Sequence, residues 1–286
     1  MSLIDLDFFG CAIHVECMDR VAEALLNEIY CSFKRPAKNA QITYRISRDK
    51  LSGKLWITRD GESPEIARDG SDFIYLFEKN ITIETEKLRR DLYFVHAAVL
   101  DMDGYAVALI APSGHGKSTT TWGLLHHEFK YLSDELAPID LTTMRVHSFP
   151  HALCLKAIPS DAYPLPAKTI YAGRTVHVPT SCFPCETTVE TLPLKTVFFL
   201  RFIGEGAAPV LKPISKVDAT IRLFTNALNP IAHPADGLDA AAEIVSKTQC
   251  FELLSADLRA TCELVKTVFP PDFAKVTATP VDVLPL

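Results

Sequence analysis

The stretch ALIAPSGHGKSTTTWGLL, residues 108–125, decides how this chain is read. Its first part is an apolar, strand-like run and its last part a helical one, with Gly114, Gly116, Lys117 and Ser118 between them. From Ala111 to Ser118 it meets the pattern G-x-x-x-x-G-K-[ST] at every fixed position but the first, where alanine stands for glycine. The two remaining glycines permit backbone turns that aim successive N–H groups at an anion. Lys117 then offers a mobile positive charge to the β- and γ-phosphates of a nucleotide, and the Ser118 hydroxyl is placed for Mg2+. A helix starting there adds the positive end of its dipole. Ala111 is tolerable in an extended backbone, because an L-residue is penalised only where φ must be positive. The His115 side chain, in the same loop, is expected to face solvent.

Seventeen residues after Lys117 comes Asp134, in YLSDEL, a strand-like approach ending in Asp134 and Glu135. A nucleotide bound with magnesium needs a carboxylate near its γ-phosphate, and a kinase needs a second group to accept the proton of the attacking hydroxyl. Two adjacent carboxylates at a strand end can divide those tasks. His96 lies in DLYFVHAAVL, read as the strand whose hairpin partner runs into the glycine loop, and could reach the same place from the next strand over.

Around this centre the chain has the composition of a globular protein: 286 residues, 48% hydrophobic and 22% charged. A net charge of −6 argues against a nucleic-acid partner, whose phosphates call for a basic face. The N-terminal residues carry no basic, then apolar, leader pattern, and no uncharged apolar run approaches the ~20 residues of a membrane span, so no membrane partner and a cytoplasmic location are expected. The eight cysteines then read as reduced thiols. Cys182 and Cys185 have metal-ligand or redox spacing, but no second pair follows, and a proline-containing loop is the simpler reading.

Two domains are expected, a small N-terminal α/β domain over 1–90 and a second over 91–286. In the first, residues 12–32 turn from an alternating run to a helical one with Val21, Leu25 and Ile29 at four-residue spacing. AQITYRIS, KLWITRD and DFIYLFEKNITIETE read as strand-like. In the second, a hairpin turning at DMDG is followed by the glycine loop, a helix, and an extended segment with a turn at LTTM. Residues 151–190, with prolines at 159, 164, 166, 179 and 184, read as a long irregular connection. KTVFFLRFI is a strand buried on both faces, TQCFELL a last strand, and VDATIRLFTNAL, PADGLDAAAEIVSKT and ADLRATCELVKTVF are helical.

Taken together, VHAAVL, GYAVALIAPSGHGKST and YLSDE resemble the HPr serine kinase/phosphorylase family, relatives of phosphoenolpyruvate carboxykinase among P-loop folds. The likeness covers residues 91–160 best, and the strand at 195–203 and the last helices more loosely. It implies an α/β fold with a P-loop kinase core of that type and ATP and Mg2+ as cofactors. It implies phosphate binding by Ser113, Gly114, His115, Gly116, Lys117, Ser118 and Thr119. It further implies metal binding by Ser118 with a member of the acidic pair, a general-base role for Asp134, electrostatic support from His96, and a homo-oligomer. The family has two aspartates where this chain has Asp134 and Glu135, so the division between base and metal ligand stays open. The Arg-Gly-containing signature that follows the acidic pair in the bifunctional enzymes is absent, which places the chain nearer the relatives that phosphorylate ribosomally made peptides. The expected activity is transfer of the ATP γ-phosphoryl group to a hydroxyl, a serine of a peptide or small protein. Lys156 and Arg174 are candidate clamps. The alternatives are a small-metabolite kinase and a nucleotide-binding regulator that transfers nothing; a transporter-type ATPase lacks its LSGGQ-like helix start here.

Overall fold

A computed structural model describes residues 1–36 and 39–269. Over these residues the chain is a mixed α/β protein with three sheets. The first has five strands in sequence order, β1 (Ser2–Phe8), β2 (Cys11–Cys17), β3 (Ile42–Arg48), β4 (Leu55–Arg59) and β5 (Glu65–Ala67). Strict alternation along β2 buries Cys11, Ile13, Val15 and Cys17 on one face. Helix α1 (Arg20–Ile29) starts where the Asp19 carboxylate accepts hydrogen bonds from the Val21 and Ala22 amides, and it buries Ala22, Leu26 and Ile29.

Residues 70–88 are helix α2 (Gly70–Leu88), not strand. The β-branched and aromatic content of DFIYLFEKNITIETE pointed to a strand, but Phe73, Phe77, Ile81 and Thr85 recur every four residues and make one buried face. Asp69 caps this helix through the Asp72 amide.

The large sheet contains β6 (Leu92–His96), β7 (Ala98–Met102), β8 (Tyr105–Ile110), β9 (Lys130–Ser133), β10 (Leu136–Asp140) and β11 (Arg145–Val146), with helix α3 (Lys117–Leu124) after β8. A small sheet follows, of β12 (Leu153–Leu155), β13 (Ile170–Ala172) and β14 (Thr175–Val178) in the order β12-β14-β13. The expected irregular connection therefore carries short strands set between its prolines. The large sheet is completed by β15 (Leu192–Phe202), β16 (Val210–Pro213) and β17 (Gln249–Ser255), and helices α4 (Lys216–Phe224), α5 (Leu238–Ser246) and α6 (Leu258–Lys266) pack around it. Its order is β6-β10-β11-β15-β8-β7-β9, with β17 parallel to β15 and β16 antiparallel to β17.

DLYFVHAAVL is two strands rather than one. β7 and β8 form the hairpin, turning at Asp103 and Gly104, whose φ angles of 53° and 83° suit a tight hairpin turn. β6 pairs instead with β10, His96 opposite Leu136. The parallel strands β8 and β15 are covered on both faces, which explains their unbroken apolar runs. Ala108, Ile110, Val197 and Phe199 join one cluster with α4 and α5, while Leu109, Phe198 and Leu200 join another with α3 and α6.

A third cluster runs from the five-stranded sheet into the rest of the molecule. Phe149 packs its ring 5.7, 5.8 and 5.0 Å from those of Phe8, Phe9 and Phe33. Leu92, Phe94 and Leu136 belong to the same cluster, which brings α2 beneath the turn between β9 and β10.

Candidate active site

The loop between β8 and α3 bears Gly114 and Gly116 at φ of 85° and 88°, the left-handed region where a side chain is strained. Ala111 keeps a negative φ, so the alanine fits. Gly116 precedes the helix with no side chain to cap it, leaving the first-turn N–H groups without an intrahelical partner. Lys117 opens the helix and is only 7% exposed. Its Nζ makes no hydrogen bond among the described residues and lies 3.6 Å from Glu135 Oε2. Burial draws the ammonium's pKa down, against the pull of Glu135 and Asp134.

In front of this loop is a cavity of about 400 Å³, lined by Gly114, Gly116, Lys117, Ser118, Thr119 and Glu135. His96 and Lys156 also face it, and Lys156 donates a hydrogen bond to the Ser113 hydroxyl. Phe202, Ser255 and Leu258 also line it. Ser255 is 3% exposed and its hydroxyl has no partner among the described residues.

The acidic pair occupies the tight connection between β9 and β10. The Ser133 hydroxyl accepts from the Glu135 amide at 3.2 Å and the Leu136 amide at 3.0 Å, which fixes the turn. The two carboxylates have different surroundings. Asp134 is buried and does not line the cavity; Tyr131 donates its hydroxyl at 2.8 Å, the Cys154 amide donates at 3.1 Å, and His151 Nε2 lies at 3.1 Å. Desolvation raises its pKa, and the His151 charge opposes that. Glu135 stands at the cavity, half exposed, with His96 Nε2 at 3.4 Å. Desolvation resists its ionisation, yet the His96 hydrogen bond and the Lys117 charge outweigh it and hold the carboxyl at about 2.

Of the residues singled out from sequence, Ser113, Gly114, Gly116, Lys117, Ser118, Thr119, Glu135, His96 and Lys156 share one cavity. His96 reaches it through the β6–β10 pairing, not through the hairpin. His115 instead lines a second cavity of about 260 Å³ beside Arg201 and Arg222. Arg174 does not line the main cavity; it sits after Gly173, whose added Cβ would stand 3.4 Å from Ser71 at the start of α2. Cys182 and Cys185 are free thiols. Sequence reasoning passed over Glu78, His151 and Ser255, none of which lies in a recognisable motif.

Among the described residues no three His, Cys, Asp or Glu side chains group as a metal site. Ser118 and Glu135, both on the cavity, offer instead one hydroxyl and one carboxylate, a donor set that suits a hard cation whose remaining ligands are phosphate oxygens and water.

No protein-family model matches the sequence, and no curated protein does so. Among solved structures the chain is similar to one described as the HPr(Ser) kinase/phosphatase from Coxiella burnetii, at 11% identity, over 64% of this chain and 98% of that one, with a TM-score of 0.33. A likeness of that size supports no conclusion about activity.

Proposed function

We propose that the protein is an ATP-dependent kinase whose P-loop lies between β8 and α3, and that it phosphorylates a hydroxyl of a peptide or small protein. The observation that carries this reading is Lys117, a buried ammonium with Glu135 3.6 Å away but no hydrogen-bond partner among the described residues, set at an uncapped helix start beside a cavity. Burying its N–H groups without hydrogen bonds is costly, and an entering polyphosphate would offset that cost. The loop amides and Lys117 bind the β- and γ-phosphates. Ser118 would hold Mg2+ together with phosphate oxygens, and the ion supplies charge neutralisation at those oxygens when bound, leaving the Glu135 carboxylate free for the acceptor.

Transfer forms a bond from the acceptor oxygen to the γ-phosphorus and breaks the bond to the β,γ-bridging oxygen, releasing ADP. The acceptor proton passes to a carboxylate. Because Glu135 and not Asp134 faces the cavity, we assign that role to Glu135. Its low pKa reflects His96 and Lys117; phosphates that draw Lys117 away would leave Glu135 a better acceptor. In a loose transition state its main task is to orient the hydroxyl.

The test is incubation with γ-labelled ATP and Mg2+, with and without serine-containing peptides. Label on a peptide hydroxyl, lost in Lys117→Ala, is the expected result. Bound nucleotide from which no label is ever transferred or released would favour the regulator reading instead.

A further inference from the structure

α2 belongs to the N-terminal part of the chain, yet one of its side chains reaches the underside of the acidic pair. Glu78 Oε1 lies 3.5 Å from His151 Nε2, and the same nitrogen lies 3.1 Å from Asp134 Oδ1. His151 and Asp134 are each 1% exposed. The other ring nitrogen, Nδ1, stands 2.7 Å from the Ala152 carbonyl, which can only accept, so it carries a hydrogen. Nε2 meets neither carboxylate in hydrogen-bond geometry, so charge and close packing join the three groups into one buried unit.

This unit sits where the turn before β10 is decided. Asp134 is tied to Tyr131 on β9 and to the Cys154 amide on β12, and His151 bears on it from a third direction. The next residue is Glu135. The segment carrying His151 is itself fastened to the N-terminal part, since the Ala152 amide donates to the Ile29 carbonyl at 3.0 Å.

We propose that Glu78 is a positioning residue for phosphoryl transfer: through His151 it fixes Asp134, and with it the turn that points Glu135 into the cavity. The inference rests on the kinase reading above and deepens it, because the N-terminal part then completes the reaction site from below. A displacement of Glu135 by ~1 Å is enough to cost on the order of a hundredfold in rate.

The experiment uses the full chain and follows γ-phosphoryl transfer to water from Mg-ATP, which needs no acceptor peptide, alongside ATP affinity and thermal melting. Glu78→Gln keeps size and an acceptor oxygen but removes the charge. It is expected to lower kcat by about ten- to a hundredfold, in the range typical of partners behind a catalytic ligand, with ATP affinity within about twofold. His151→Gln is expected to do the same, and the double variant no worse than either alone. Tyr131→Phe removes a different hold on Asp134 without touching charge, and should lower kcat at unchanged ATP affinity even if Glu78→Gln does not fold. An unchanged kcat in folded Glu78→Gln or in Tyr131→Phe, or losses that multiply in the double variant, overturns the proposal. A wild-type protein that binds Mg-ATP and neither releases phosphate nor labels a serine-containing peptide defeats the kinase reading itself, and this inference with it; an active wild type with an equally active Glu78→Gln defeats the inference alone.

Discussion

Adjacent carboxylates have opposite fates here because a single turn sends one side chain inward and the next outward. Asp134 is held by a hydroxyl, an amide and an imidazole, while Glu135 meets Lys117 and His96 at the cavity. Substitution should separate them. Glu135→Gln is expected to lose about a hundredfold or more in transfer, the scale of a lost general base, and to melt lower because the buried Lys117 ammonium loses its nearest carboxylate. Asp134→Asn removes one of two carboxylates facing His151 and should cost about 1–3 kcal/mol of stability in urea unfolding. Full transfer by Glu135→Gln would contradict the division. His177 gives a second residue-level expectation. Burial, helped by the charge of His151, pushes its pKa down to about 4, and it is 3% exposed. An unfolded histidine takes up its proton near pH 6.5, whereas the folded one resists until about 4, so stability is present above that window and drains away as pH falls through it. Between pH 7 and 4 the wild type should lose about 3 kcal/mol more than His177→Gln in urea unfolding. Parallel losses would mean that His177 titrates normally.

The elements around the glycine loop hold it by close approach. α3 is a short helix with Thr120, Thr121, Trp122, Gly123 and Leu124 all buried, so it is enclosed rather than laid on a surface. Gly123 makes this possible: an added Cβ would stand 2.7 Å from Cys262 Sγ and 2.9 Å from Leu258 Cδ1, both on α6. Gly123→Ala gains up to ~1 kcal/mol of helix propensity but forces α3 and α6 apart. Overpacking of ~1–3 kcal/mol should win, lowering the urea midpoint, and Cys262→Ala in that background should restore part of the loss. A stabilised Gly123→Ala would show that the contact is loose. Legibility at this scale follows the same logic. The strand–loop–helix of residues 105–124 could be read from sequence because its glycines, lysine and apolar runs are contiguous. α2 could not be read as a helix from its residue types, since Phe73, Tyr75, Ile81, Thr82 and Ile83 favour strands; only the four-residue recurrence of Phe73, Phe77 and Ile81 marks it. Glu78 and His151 were illegible for a stronger reason. They stand 73 residues apart in the chain, and only the packing of α2 under the β9–β10 turn brings them within 3.5 Å.

At the scale of the whole molecule, residues 1–90 and 91–286 were expected as separate domains, and the packing bears on how independent they can be. The cluster built on β1 to β4, α1 and α2 also contains Leu92, Phe94, Leu136, Phe149 and Ala152 from the later segment. Removing residues 1–90 would expose those side chains together, an apolar patch of the kind that drives aggregation. It would also strip His151 of Glu78, leaving the buried histidine beside Asp134 with one fewer counter-charge. None of the described helices is long and apolar enough to cross a membrane. The full chain is therefore expected to unfold in one cooperative transition, with calorimetric and van't Hoff enthalpies agreeing, although its length is that of two modest domains. A chain of residues 91–286 expressed alone should be insoluble or lack a sharp melting transition. Two resolved transitions in the full chain, or a truncated chain that melts sharply and still binds ATP, would show that the later segment is self-sufficient and that the shared aromatic cluster is only a contact between finished domains.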